Sequence, residues 1–139
     1  MVATRVDFNQ AIIDEFRAND GVVGGYFEHL TLLLLHHQGA KSGRERVTPL
    51  AMLEVDGGWA VFASKGGADE NPAWYYNLLA HPLVTVEVGS GTYEVRAHEA
   101  TGEEYERIWS TQKERAPQFA EYERKTARDY IPVMVLERI

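Results

Sequence analysis

A strand, a turn and a helix meet in one segment of this sequence, Ala63-Ser64-Lys65-Gly66-Gly67-Ala68-Asp69-Glu70-Asn71-Pro72-Ala73-Trp74-Tyr75-Tyr76-Asn77. The apolar run Trp59-Ala60-Val61-Phe62-Ala63 before the turn is typical of a β-strand, which should stop at Ser64 because lysine and paired glycines favour turning. Asn71 and Pro72 then predict a helix start, with the Asn71 side chain capping free amides and Pro72 at the first helical position.

The same segment has features that suit an anionic ligand. Gly66 and Gly67 permit close approach to the backbone, the start of a helix favours negative charge, and Lys65 adds a full positive charge. Trp74 can supply a flat wall. Taken alone, Trp74 is better interpreted as a core residue. Ser64, Lys65 and the two glycines serve no obvious packing purpose, however, so the combination favours a bound ligand.

Length and composition indicate one ordinary globular domain spanning residues 1–139. The chain is 45% hydrophobic and 25% charged, and no apolar run is long enough to cross a bilayer. The N-terminus lacks the apolar region of a secretory signal, so we expect a cytoplasmic protein.

Charge and cysteine content exclude several function classes. Fourteen basic and 21 acidic residues give a net charge of -7, which argues against nucleic-acid binding. The sequence contains no cysteine, so redox activity would require a bound cofactor. His36 and His37 point to opposite faces of a strand and cannot share a metal, and we expect no metal site.

The first predicted element is an amphipathic helix from Asp7 to Asn19. Phe8, Ile12, Ile13 and Phe16 recur at helical spacing. Packing on a sheet is favoured over contact with a membrane surface, because the polar face is acidic rather than basic. Peripheral membrane association through this helix stays open.

The remaining pattern predicts about six strands in antiparallel hairpins, with one helix inserted midway and two before the last strand. Turn signals such as Asp56-Gly57-Gly58 and Ser90-Gly91 separate the paired runs. The predicted strands cover residues 30–37, 46–55, 59–63, 84–88, 93–97 and 131–136. This arrangement predicts an α+β fold built on a small β-barrel with flanking helices.

A basic cluster, Lys41, Arg44 and Arg46, crowds a glycine-bounded turn in an otherwise acidic chain. Arginine can grip phosphate oxygens in a fork, and lysine adds a mobile point charge. A solvated hairpin turn is an equally good explanation of these charges when they are considered alone.

Several segments together resemble the deazaflavin-dependent nitroreductase family: residues 39–50 (GAKSGRERVTPL), 63–67 (ASKGG), 71–78 (NPAWYYNL) and 131–133 (IPV). The resemblance covers nearly the whole chain from about Phe8. It implies a split β-barrel that binds coenzyme F420, a two-electron hydride carrier, and reduces small-molecule acceptors such as quinones, nitro compounds or enones. The family also leaves a homodimer open.

The resemblance implies roles for individual residues. Lys41 and Arg46 match positions that meet the phosphate and acidic tail of the cofactor. The implied cofactor-binding set also contains Val47, Thr48, Pro49, Ala63, Ser64, Lys65, Gly66, Gly67, Ala73, Trp74 and Asn77, and the catalytic candidates are Ser64, Tyr122 and Tyr130.

The sequence departs from the family pattern on the acceptor side. Where nitroreductases of the family have tyrosines, this chain has Ala51, Ala116 and Phe119, retaining Tyr122 and adding Tyr130. We therefore expect a wide apolar acceptor pocket. A cofactor carrier without turnover and an FMN-binding barrel remain alternative hypotheses.

Overall fold

A computed structural model describes residues 5–25 and 30–139, with side chains from residue 8 onward. Its strands form a closed barrel in which every neighbouring pair is antiparallel. The strands are β1 (Leu32–Gln38), β2 (Glu45–Val55), β3 (Gly58–Phe62), β4 (Leu83–Val88), β5 (Gly91–Glu99) and β6 (Val133–Arg138). The predicted β-barrel is confirmed.

The order of strands around the barrel is β1-β2-β3-β6-β5-β4. The hairpins predicted from turn residues are present, with Leu32 opposite Ala51, Met52 opposite Val61, and Val84 opposite Val95. The last strand closes the barrel by inserting between β3 and β5, so that Val135 faces both Ala60 and His98. Each hairpin therefore forms locally, whereas closure needs the end of the chain.

The helices are α1 (Arg5–Ala18), α2 (Ala73–Ala80), α3 (Gly102–Arg115) and α4 (Gln118–Lys125). Side chains alternate along the strands, so the barrel contributes one buried set to its interior and another to the helices outside. The largest cluster joins α2 to Leu33, Leu35, Trp59, Val61, Val86, Val95, Met134 and Leu136. A second cluster lies under α3 and α4 and contains Leu53, Phe62, Ile108, Trp109, Phe119 and Ile131.

The N-terminal helix packs on the barrel. Ile13 and Phe16 are buried with Leu32 and Leu34 of β1, which agrees with the packing role that the sequence favours. At the end of α1, Arg17 donates two hydrogen bonds to Glu87 of β4, at 3.0 and 2.7 Å. Within the described residues, none of the helices combines the length and apolarity needed to cross a bilayer. Peripheral membrane contact and cytoplasmic location stay predictions.

Polar side chains at the starts of two helices have partners outside those helices. Helix α2 begins at Ala73 with Pro72 as the flanking residue, and Asn71 does not cap it. The Asn71 side chain instead accepts a hydrogen bond from Arg128 at 2.6 Å. Helix α3 begins after Thr101, whose side chain makes no capping hydrogen bond, and Glu104 in its first turn contacts His98 at 2.9 Å. Both polar side chains have stronger partners outside their own helix.

Candidate active site

Two adjoining cavities lie where the start of β2 meets α2. The first has a volume of about 420 Å³ and is lined by α1, His37, β2 residues 46–48, Lys65 and the start of α2, Pro72–Trp74. The second, of about 410 Å³, is lined by the turn of residues 39–42 with Tyr76 and Asn77. Arg46 and Ala73 line both cavities, so together they form one elongated site, which we call the main cleft.

Two positively charged side chains line the main cleft and have no ion-pair partner among the described residues. Lys41 lines its second cavity and Arg46 lines both. Neither has an ion-pair partner in the part of the chain that the structure describes. Arg46 is also the cross-strand neighbour of His37, and its charge contributes to lowering the pKa of His37. Unpaired cations on a concave surface of an acidic chain suit an anionic ligand.

The Lys65 turn has the left-handed backbone that its glycines make accessible. Lys65, Gly66 and Gly67 have φ values of 48°, 64° and 85°. A side chain at Gly67 would come within 3.1 Å of the backbone of Tyr122 in α4, so glycine is required there. Lys65 itself is paired with Glu70 at 2.7 Å. Its charge is therefore shared with a carboxylate that an incoming anion has to displace.

The segment after α4 holds this turn in place. Arg128 donates hydrogen bonds to the carbonyl oxygens of Ala63 and Ser64, each at 2.8 Å, and to the Asn71 side chain. Thr126 donates to the carbonyl oxygen of Ala68 at 2.7 Å, and the amide of residue 127 donates to Asp69. The sequence does not single out Arg128, because an arginine that binds main-chain carbonyls leaves no local motif.

A chain of hydrogen bonds runs behind the main cleft. The backbone amide of Ala40 donates to Asn77 Oδ1 at 2.9 Å, which orients the Asn77 amide so that Nδ2 donates to His37 Nδ1 at 2.9 Å. His37 Nε2 then carries the ring proton and donates to Thr48 Oγ1 at 2.9 Å. Thr48 Oγ1 is the acceptor in this bond, so its hydroxyl hydrogen remains available to donate to another group. Because Thr48 lines the cleft, that group can be a ligand bound there.

His37 is neutral in this arrangement. It is 4% exposed, and burial, with smaller effects of the charges of Arg46 and His36, lowers its pKa to about 4. Protonation would also place a hydrogen on Nδ1. That hydrogen would face the Asn77 amide hydrogen, so the hydrogen bond between Asn77 and His37 would be lost. A neutral ring therefore keeps the direction of the whole hydrogen-bond chain fixed.

The structure brings most of the predicted cofactor-binding residues together. Those lining the main cleft are Lys41, Arg46, Val47, Thr48, Lys65, Ala73, Trp74 and Asn77. Trp74 has two roles, because it belongs to the barrel core and also borders the cleft. Asn77 is largely occupied by His37 and Ala40. Pro49, Ala63, Ser64, Gly66 and Gly67 do not line the cleft, but each lies within two residues of one that does.

The catalytic candidates separate into two places. Tyr122 lies beside the Lys65 turn, since its backbone approaches Gly67, and its hydroxyl accepts a hydrogen bond from Gln118 at 3.3 Å. Tyr130 is half exposed and donates to Glu99 at 3.0 Å, and this bond raises its pKa. Tyr75 donates to the same carboxylate at 2.6 Å. Tyr130 therefore lies in a cluster of its own, outside the lining of the main cleft.

A third cavity contains two of the positions singled out on the acceptor side. Its volume is about 270 Å³, and Ala51 and Ala116 line it together with Leu30, Leu53, Gln112 and Arg115. Phe119 is instead buried between Phe62, Trp109 and Tyr122. Ala51 follows Val47 on the same face of β2, four residues or about 13 Å along the strand. This acceptor-side cavity therefore lies further along β2 from the main cleft, and the two share no lining residue.

Comparison with known proteins identifies the family. Residues 10–138 match the model of the F420H2-dependent quinone reductase family. The chain belongs to this family. Membership confirms the predicted resemblance, the assignment as an F420H2-dependent oxidoreductase, and coenzyme F420 as the cofactor.

Individual relatives agree with this assignment. An F420H2-dependent quinone reductase of Mycobacterium tuberculosis is 38% identical over 109 residues, which cover 76% of this chain and 72% of that protein. A solved structure described as an F420-H2 dependent reductase is 42% identical, has a TM-score of 0.70, and is matched over 76% of this chain and 93% of that one.

Two further structures extend the comparison. One described as a domain-swapped dimer is 34% identical, with a TM-score of 0.71, and the match covers 96% of this chain and all of that one. The haem storage protein HutZ of Vibrio cholerae is 16% identical, with a TM-score of 0.60 over 94% of this chain and 90% of that one. At that identity the likeness concerns the barrel fold alone.

Proposed function

We propose that this protein reduces quinones with F420H2 bound in the main cleft. The observation that carries the proposal is the pair of uncompensated cations, Lys41 and Arg46, beside a tryptophan-lined cavity in a family of F420H2-dependent quinone reductases. When bound, F420H2 supplies a hydride, and with one proton from the medium a quinone becomes a quinol.

The donor set of the main cleft fits an anionic cofactor. Lys41 and Arg46 bind the phosphate and acidic tail at the outer, exposed cavity. Lys65 binds a further anionic or carbonyl oxygen once Glu70 moves aside, and the Thr48 hydroxyl donates from the strand side. The Trp74 face and Val47 supply apolar walls for a planar ring. Ala63, Ser64, Gly66 and Gly67 complete the turn beside the ring, with Pro49, Ala73 and Asn77 behind it.

We assign the acceptor to the cavity lined by Ala51 and Ala116. Its small side chains leave space for a bulky ring, and Leu30 and Leu53 give it apolar walls. Tyr122 or Ser64 donates a hydrogen bond to the oxygen on which negative charge develops during hydride transfer, or holds a water there. Tyr130 is the weaker catalytic candidate, because Glu99 already accepts its hydroxyl proton.

The acceptor range extends in this proposal from quinones to enones and, less effectively, nitro compounds. An apolar pocket with few hydroxyl donors stabilises the charge on a nitro group poorly. We also propose a homodimer, which the domain-swapped relative supports. Light scattering of the purified protein measures its mass directly, and a monomeric mass across the working concentration range would contradict this assignment.

The test measures oxidation of F420H2 by the purified protein with menadione as the acceptor. We expect turnover with menadione and saturable binding of F420. Tight binding of F420 without turnover across a panel of quinones and enones would contradict a reductase and indicate a carrier. Co-purification of yellow FMN from a host that lacks F420, with no F420 binding in titration, would replace the cofactor assignment altogether.

A further inference from the structure

Gln112 is a buried polar residue that packing alone does not explain. It lies on α3, is 4% exposed, and lines the acceptor-side cavity. No hydrogen bond joins its side-chain amide to any residue in the described ranges 5–25 and 30–139. Among the described residues no fully buried side-chain nitrogen or oxygen lacks a partner, so the unpaired amide of Gln112 is open to the cavity and can meet a ligand there.

The surroundings of Gln112 define what it can bind. The opposite wall is the apolar face formed by Leu30, Ala51 and Leu53, with Ala116 one turn further along the chain. Arg115 and Glu54 line the same cavity, so its rim carries one charge of each sign and no net charge. A planar apolar ring with an uncharged polar atom on one edge fits this lining better than an ion does.

The position of the cavity connects it to the main cleft. Leu30 and Ala51 pack both against the cluster under α1 and against the cluster under α3 and α4. Helix α1 lines the main cleft through Asn9, Gln10 and Ile13. Leu30 and Ala51 therefore link the wall of the acceptor-side cavity to the helix that borders the main cleft.

We propose that Gln112 recognises the carbonyl oxygen of a quinone by donating a hydrogen bond from its amide Nε2. This assignment rests on the proposed quinone reduction and names the residue that orients the acceptor. The oxygen gains negative charge as the ring accepts a hydride and then takes a proton from water, so the same hydrogen bond strengthens during the reaction. The amide neither loses nor gains a proton.

The test compares Gln112→Leu and Gln112→Glu with the parent protein. Leucine keeps the volume but cannot donate, and glutamate accepts and repels the developing charge. We expect kcat/KM for menadione to fall about tenfold or more in both variants, while the Kd for F420 stays within about twofold. Ser110→Leu, on the exposed side of the same helix, should change neither quantity.

Two measurements separate recognition from a structural role. The melting temperature of Gln112→Leu should equal or exceed that of the parent, because no hydrogen bond within the described residues is lost; a structural glutamine would give a lower value. Menadione binding to the cofactor-free protein, followed by quenching of tryptophan fluorescence, should weaken in the variant.

The possible failures are distinguishable. A parent that binds menadione through Gln112 but never oxidises F420H2 refutes the proposed function and leaves the recognition role intact. A parent that reduces menadione, with Gln112→Leu unchanged in kcat/KM and in menadione affinity, refutes the role of Gln112. Full activity of Gln112→Glu would refute the hydrogen bond from Gln112 Nε2 to the quinone oxygen.

Discussion

His37 illustrates how a single residue acquires its role from distant parts of the chain. Its two ring nitrogens meet Asn77, 40 positions later, and Thr48, 11 positions later. Adjacent His36 points the other way and contacts Glu45 and Glu87 at 2.9 and 2.6 Å. Strand alternation alone predicts that the two histidines face opposite sides. Which one is buried and neutral depends on α2 packing over β1.

The depressed pKa of His37 predicts a dependence of stability on pH. The unfolded histidine binds a proton near pH 6.5, whereas the folded one resists it until about pH 4. Stability is therefore fully present above pH 6.5 and falls as the pH drops towards 4. Between pH 7 and 5 we expect a loss of about 2 kcal/mol in the free energy of unfolding, measured by urea titration.

A comparison of variants assigns this effect. His37→Gln should be less stable than the parent at pH 7. Its free energy of unfolding should, however, fall much less than that of the parent between pH 7 and 5. His81→Gln, at the end of α2, should keep the parental change. A parental pH dependence in His37→Gln would show that another group is responsible.

Arg46 should contribute binding energy rather than folding energy, because it borders both cavities of the main cleft and has no ion-pair partner in the described part of the chain. Arg46→Ala should weaken F420 binding by about 1.5–3 kcal/mol, the range of a charged hydrogen bond. Arg44→Ala, in the same turn but outside the lining of the cleft, is the control. Equal F420 affinity of Arg46→Ala and parent at low salt would refute the anion site.

Tyr122 and Tyr130 provide a matched pair for the catalytic hydroxyl. Tyr122→Phe should lower kcat with menadione about tenfold and leave F420 affinity unchanged, because the hydroxyl acts on the acceptor. Tyr130→Phe should keep turnover, since its hydroxyl is bound to Glu99. Steady-state kinetics of both variants decide the assignment, and the reverse pattern would move catalysis to the Tyr130 cluster.

At the scale of elements, the Lys65 turn depends on the segment that follows α4. The turn is a single 3-10 turn, Lys65–Gly67, and carbonyl oxygens in and beside it accept hydrogen bonds from Lys125, Thr126 and Arg128. The close approach of Gly67 to α4 fixes the spacing between the two elements. Turn and helix therefore form one unit, although nearly 60 residues separate them.

Arg128→Met tests this coupling. Methionine keeps the length of the side chain but leaves the carbonyl oxygens of Ala63 and Ser64 without their donor. We expect a loss of about 1.5–3 kcal/mol in unfolding free energy and about tenfold weaker F420 binding. Arg124→Met removes only an exposed contact with Glu121 on the same helix and should have little effect on either quantity. Unchanged F420 binding in Arg128→Met would show that the turn is positioned without this clamp.

At the scale of the whole molecule, strand β2 borders both binding surfaces. Residues 46–48 line the main cleft, and residues 51–54 line the acceptor-side cavity. Helix α1 packs against one part of this strand, and α3 with α4 against another. We therefore expect acceptor choice to depend on how α3 and the residues after it pack beside β2.

The composition of the acceptor-side cavity predicts a ranking of acceptors. Turnover should be highest with menadione, lower with a cyclohexenone, and lowest with a bicyclic nitroimidazole, because alanines replace hydroxyl donors at Ala51 and Ala116. Steady-state kcat/KM for the three compounds measures this ranking. Ala116→Tyr should restore part of the nitroimidazole activity. A parent that prefers the nitroimidazole would refute the argument from pocket composition.

The sequence by itself determined the local elements, because period-two alternation, turn residues and helical spacing act over a few neighbours. It predicted the barrel, the Lys65 turn and the cationic turn, and the family resemblance named eight of the residues that line the main cleft. Tertiary structure alone decided which strands β6 joins, that Arg128 rather than a helix cap binds Asn71, and that Tyr130 lies apart from the cleft. It also decided that Gln112 is buried beside Ala51. These features join residues separated by tens of positions, and polar side chains choose partners according to which groups folding brings within hydrogen-bond distance.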